Sequence, residues 1–244
     1  MNSQFRWIAA LAAVVLLHGC GGGGGGGVAQ NGGIGGTGVA VVSSGVMTKG
    51  SVILNGIHFD DSAAVIISDD ILAGTNALQS GMVVKVKGRR NDDGVNGVAE
   101  RVEVENEVRG VVQSHSSTAS PKTFTVINQS IYVDDQTVYA NFSSPTPATP
   151  INELGDSVDV VEVHGLRDSA GNIRATRVEK LTGPQVDELR GAVAGPITAS
   201  TFVLVGTPNV TVAFTRGGVV PNQPLAVGML VEVHGLFNSG TDVF

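Results

Sequence analysis

The chain has 244 residues, of which 34 are glycine, 42% are hydrophobic and 15% are charged, with a single cysteine and a formal net charge of −7. Twelve glycines fall between Gly21 and Gly38, whereas Val, Ile, Leu and Phe recur in every segment beyond Val39, which excludes disorder throughout. With Cys20 alone there is no disulfide scaffold, and the length suits one to three small domains.

Residues 1–7 carry one positive charge, Arg6, and residues 8–17 form an apolar run of ten, too short for a permanent membrane span and right for a signal-peptide core. Leu17-His18-Gly19-Cys20 follows directly, the pattern of a bacterial lipobox in which the cysteine is acylated after cleavage before it. The expectation is a lipoprotein signal peptide over 1–19 and acyl chains, palmitate among them, on Cys20, enough for stable anchoring without a transmembrane helix. Gly21 stands where an aspartate would retain the product in the inner membrane, so sorting to the outer membrane is expected. The mature chain would hold 225 residues, and its 14 basic and 22 acidic residues give −8. Residues 20–43, with the run Gly21–Gly38, read as the acylated cysteine and a flexible tether. No Lys or Ser/Thr follows those glycines at the spacing of a phosphate-binding loop.

The body repeats itself. Leu78–Gly88 (LQSGMVVKVKG), the segment ending VDVVEVHG at Gly165 and Leu225–Gly235 (LAVGMLVEVHG) are copies of one another, and their anchor glycines are 77 and 70 residues apart. The expected division is copy one over 44–108, copy two over 109–182, a linker over 183–190 containing a turn or two of helix at Pro184–Leu189, and copy three over 191–244. Val84 and Val86, Val161 and Val163, and Val231 and Val233 alternate with polar residues, the period of half-buried strands. Asn91–Gly94 and Asp168–Asn172 supply hairpin turns, and Phe142–Asn152, with three prolines, reads as a loop. Five or six strands per copy suit a small closed or partly open barrel, an all-β class. Copy two departs at Glu153–Asp159, where its spacing is longer. In copy three only nine residues follow Gly235, so the chain stops where a closing strand should begin. A vacant edge is expected there, able to accept a partner strand, or else the chain is a piece of a longer protein, the reading preferred.

The order GxV, an FxVNG-like strand, LxxGMxVxVxG and AxRVE, behind a lipobox and the Gly33–Gly38 segment, resembles the domain-of-unknown-function 5666 family of bacterial secreted and lipid-anchored proteins, over about residues 34–244. The resemblance implies tandem small OB-like β-barrels, which the repeat spacing makes three with the third incomplete, and implies no reaction and no catalytic residues.

Candidate chemistry is sparse. Glu162 with His164, and Glu232 with His234, sit two apart on one strand face and could begin a metal site, but a site needs three or four converging ligands. Copy one has Lys85 and Lys87 there, so these four residues are expected to face solvent. Asp60-Asp61 and Asp134-Asp135 could suit a cation, yet adjacent strand residues point to opposite faces, and a turn or strand-end role is expected. No nucleophile elbow or HExxH motif occurs, so neither catalytic residues nor a cofactor is expected. The acidic charge and two tyrosines argue against nucleic acid, and Arg89-Arg90 are expected to flank a turn. The reading is a non-catalytic binding or spacer module on the outer membrane, facing periplasm or cell surface, with peptidoglycan, an exopolysaccharide or an envelope protein as partner. The alternative is a metal-dependent envelope enzyme using the Glu/His strand faces.

Overall fold

The structure is a computed structural model and describes residues 4–6, 39–48, 52–69, 71–143, 150–206, 208–214 and 224–244. Its elements are strands and two short 3-10 turns. A short strand β1 (Gln4–Arg6) precedes the repeats. Copy one consists of β2 (Val39–Val46), β3 (Val52–Leu54), β4 (Ile57–Asp60), β5 (Val65–Ser68), β6 (Ile71–Ala73), β7 (Val83–Arg90) and β8 (Asn96–Glu105). Copy two consists of β9 (Val108–Ser116), β10 (Lys122–Val126), β11 (Gln129–Val133), β12 (Val138–Ala140), β13 (Val160–Arg167) and β14 (Ile173–Leu181). Copy three consists of β15 (Asp187–Ala194), β16 (Thr201–Leu204), β17 (Val210–Ala213) and β18 (Leu230–Gly235).

Copy two closes on itself. β9 pairs with β10, β10 with β11, β11 runs parallel to β14, β14 pairs with β13, and β13 returns to β9. With β12 as an addition, this is the OB-like closure, in which the third strand meets the fifth in parallel and the fourth meets the first. Alternation sets what lies inside: Phe124, Ile131, Val161, Val163 and Ile173 are all buried. Copy one orders its strands β2-β7-β8-β4-β3 around its own core of Val52, Leu54, Phe59, Ile66, Val84, Val86 and Val102. Copies two and three share one core, in which Leu189, Phe202, Val231 and Val233 join the copy-two residues. The six valines expected inside are between 0 and 2% exposed.

The first two anchor glycines have a steric reason. β7 carries a bulge between Lys87 and Gly88, and β13 one between His164 and Gly165. A Cβ at Gly88 would lie 2.1 Å from the Val98 carbonyl oxygen on β8, and one at Gly165 would lie 2.6 Å from that of Arg174 on β14. The hairpin turns form where the sequence places them, with Gly94 at φ 76° and Gly171 at φ 90°. Asp93 Oδ1 accepts from the Val95 and Asn96 amides, and Asp168 Oδ1 accepts from those of Ala170 and Asn172. Arg89 and Arg90 end β7 beside the first of these turns.

Four expectations are corrected. The expected tether over 20–43 is too long, because Val39–Ser43 already pair with β7, Val39 opposite Arg90. Pro184–Leu189 forms no helical turn, because from Asp187 on the chain is β15, whose Leu189 is 1% exposed. Among the described residues copy one has seven strands rather than five or six, β5 and β6 making a short extra hairpin. The edge of β18 is not vacant in the full chain: β1 pairs along it, Gln4 opposite His234 and Arg6 opposite Glu232, on the side where copy two places β14, although β1 lies within the segment that cleavage before Cys20 would remove. Val243 is bridged in parallel to Thr211, and Phe244 is 6% exposed. Copy two's departure at Glu153–Asp159 is a 3-10 turn, Pro150–Glu153, followed by a turn closed by the Asp159 amide on the Gly155 carbonyl. The signal peptide apart from Gln4–Arg6, Cys20 and the glycine run lie outside the described residues, as do 144–149 of the proline-rich loop.

Candidate functional site

Four strands lie side by side in the order β13, β9, β15, β18, and their register sets one row of residues across them. Glu162 faces Arg109, Arg109 faces Glu188, and Glu188 faces His234. Directly opposed residues on neighbouring strands point to one face, so this row stands on the outer face while the adjoining row of Val163, Val108, Leu189 and Val233 fills the core. His164 and Glu232, two residues along their strands, flank it. Valine alternation therefore correctly turns the Glu/His pairs out of the barrels.

Outward is nevertheless not solvent. His164 is 0% exposed and Glu232 8%, while Glu162 and His234 are largely covered at 15% and 18% of their side chains. The solvent-facing expectation fails because the outer face of copy two is the junction with both neighbours. β15 of copy three pairs with β9, the Glu105–Glu107 connection passes alongside, and Asp69 after β5 reaches over from copy one. Lys85 and Lys87 of copy one have no such cover and stay partly or fully exposed.

Arg109 is the hub. Its Nη2 donates to Asp69 Oδ1 and to Glu188 Oε2. Its Nε lies 3.2 Å from Glu162 Oε2 without hydrogen-bond alignment. One guanidinium thus links all three copies. Arg190, at the equivalent position of copy three, makes the reciprocal crossing, to Glu105 at 2.8 Å and Glu107 at 3.7 Å. Glu107 also receives Arg167 Nε at 3.0 Å. His164 Nδ1 lies 3.0 Å from the Glu105 carbonyl oxygen and so must carry the hydrogen, while its Nε2 is 3.2 Å from Glu162 Oε1. His234 Nε2 lies 2.6 Å from Glu232 Oε1, and its Nδ1 is 3.9 Å from Glu188 Oε2.

Burial and charge act on these groups in opposite senses. Burial, reinforced by the Glu232 charge, pushes the Glu188 carboxyl up to about 8 despite Arg109. Burial also raises Asp69 against the pull of Arg109, and raises Glu105 and Glu107. Burial opposes ionisation of Glu162 too, but His164 and then Arg109 outweigh it and hold this carboxyl below its ordinary value.

The structure thus brings Glu162, His164, Glu232 and His234 into one junction, which two-residue spacing alone did not predict. The residues that sequence reading passed over are Glu107, Arg109, Glu188 and Arg190. Their signal was present in the repeat: Glu107-Val108-Arg109-Gly110 and Glu188-Leu189-Arg190-Gly191 are one motif, absent from copy one. The aspartate pairs take the turn and strand-end places expected of them. Asp60 ends β4 and accepts from the Ser62 amide, and Asp134 follows β11, accepting from the Gln136 amide and from Arg174.

No curated protein matches the chain. The family model described as domain of unknown function DUF5666 matches three segments, residues 39–103, 109–179 and 190–243. These are the three barrels, in order, and together they make up most of the sequence: the chain belongs to the DUF5666 family.

Proposed function

We propose that this protein is an outer-membrane lipoprotein whose barrels act as a non-catalytic binding or spacer module of the bacterial envelope, facing the periplasm or the cell surface. The observation that carries the reading is the apolar run 8–17 ending in Leu17-His18-Gly19-Cys20, with a glycine-rich stretch between that cysteine and the first strand of the repeats at Val39. Lipid on Cys20 would tether the body at a distance set by that stretch. Support for a non-catalytic role comes from Arg109 and Arg190, whose ion pairs cross between copies. An envelope glycan or an envelope protein is the partner class that suits such a body.

Cys20→Ser tests the anchor. The variant is expected to leave the membrane fraction, or to be retained as unprocessed precursor without incorporating labelled palmitate. Unchanged processing and palmitate labelling would end the lipoprotein reading. A pull-down with the lipid-free body against envelope proteins and a glycan panel would identify the partner.

A further inference from the structure

Copies two and three place the same residue types at the same register positions, yet they balance charge differently. In copy two the trio Glu107, Glu162 and His164 is met by guanidinium groups, Arg167 on Glu107 and Arg109 on Glu162. In copy three the equivalent trio is Glu188, Glu232 and His234. Arg190, which the register places opposite Glu232, makes its ion pairs with Glu105 and Glu107 instead. Arg109 reaches only Glu188 of this trio.

The outcome is a convergent set of ligand types. Glu188 and His234 are cross-strand partners on β15 and β18, and Glu232 lies on the same face two residues before His234. One donor atom from each of the three lies within 4.8 Å of the others, and the set is buried apart from the partly open edge of His234. Ligands around a tetrahedral zinc ion stand ~3.3 Å apart, so a small rotation of the side chains would close this set on an ion. The surroundings call for positive charge. Asp69, Glu162 and Glu188 share the guanidinium of Arg109, while Glu232 is paired with His234.

We propose that Glu188, Glu232 and His234 form a binding site for a divalent transition-metal ion of the zinc type. Two carboxylates and one imidazole favour zinc, cobalt or manganese over calcium or magnesium, for which nitrogen is a poor ligand. Since the ligands come from two adjacent strands, the ion would pin β18 to β15. It would do so at an edge that residues 4–6 pair in the full chain and that cleavage before Cys20 would open. The site is therefore structural in effect, and it does not depend on lipid anchoring.

The test uses the full chain in detergent, with Cys20→Ser so that no thiol competes. After EDTA treatment and removal of chelator, titration with zinc should show about one tight equivalent. Zinc should raise the melting temperature, and cobalt(II) should give the visible absorption of a nitrogen/oxygen site. His234→Gln and Glu232→Gln should each weaken zinc binding by about tenfold or more, whereas the exposed His58→Gln should leave it within about twofold. Circular dichroism of each variant would separate loss of ligand from loss of fold. Folded parent protein that takes up no zinc at about 100 µM, and gains no thermal stability from it, would overturn the proposal whatever the variants do. Equal binding by folded His234→Gln and parent would overturn it as well.

Discussion

Glu188 shows how much a single side chain depends on its place in the sheet. Its carboxyl, 1% exposed, is pushed up to about 8 by burial and by Glu232. A group whose value in the folded state lies above its ordinary one stabilises the fold at low pH and loses that contribution as pH rises. The window here runs from the ordinary glutamate value of 4.5 up to about 8. Urea unfolding in EDTA should therefore show stability falling across this window by up to about 1.4 kcal/mol per pH unit from this residue. Glu188→Gln should flatten the fall, and an unchanged slope in the variant would show that Glu188 is ionised throughout. Glu162, Asp134 and Asp159 are held below their ordinary values and act in the opposite sense, their contribution being present above those values and lost in acid. Little of this was legible from composition. A polar residue alternating with buried valine reads as exposed when a barrel is considered alone, whereas His164 is fully buried and its ring reaches the carbonyl of Glu105, on the connection that enters copy two.

Strands and turns were far easier to read, since each obeys a local rule. Val161 and Val163 face inward because the pleat alternates, and Asp93 and Asp168 close their turns because short carboxylates accept nearby amides. The anchor glycines belong to the same class. Gly88→Ala would drive a Cβ onto the Val98 carbonyl oxygen across a bulge, and Gly165→Ala would do so at Arg174, so each should cost about 1–3 kcal/mol by urea titration. A variant as stable as the parent would mean that the bulge relaxes at no cost. The first residues of β15 do not read as a strand, because Pro184–Leu189 carries proline and acidic residues that suit a helix start, whereas tertiary pairing with both β9 and β18 decides the outcome. Leu189, central to that pairing, should be correspondingly costly to truncate: Leu189→Ala is expected to lose about 2–5 kcal/mol. A loss under about 1 kcal/mol would show that copy three does not pack through β15.

At the scale of the whole molecule, the three repeats match one family model but assemble differently. Copy one keeps its own core, and its crossings to copy two include Arg109 with Asp69, Thr176 Oγ1 donating to the Gly81 carbonyl at 2.7 Å, and Arg177 donating to that of Ser80 at 3.2 Å. Copies two and three have one continuous sheet and one core, joined at β9 and β15 with Val108 against Leu189 inside and Arg109 against Glu188 outside. Repetition of the sequence announced three units, but not which two of them fuse, because the choice rests on pairings between segments some 80 residues apart. The most direct measurement is hydrogen exchange of the intact chain in increasing urea. The account predicts that amides of 108–112 and 187–193 become exchangeable together, with one urea dependence, while those of 83–88 in copy one follow their own. Exchange of 187–193 at distinctly lower urea than 108–112 would contradict it and make copy three an independent barrel.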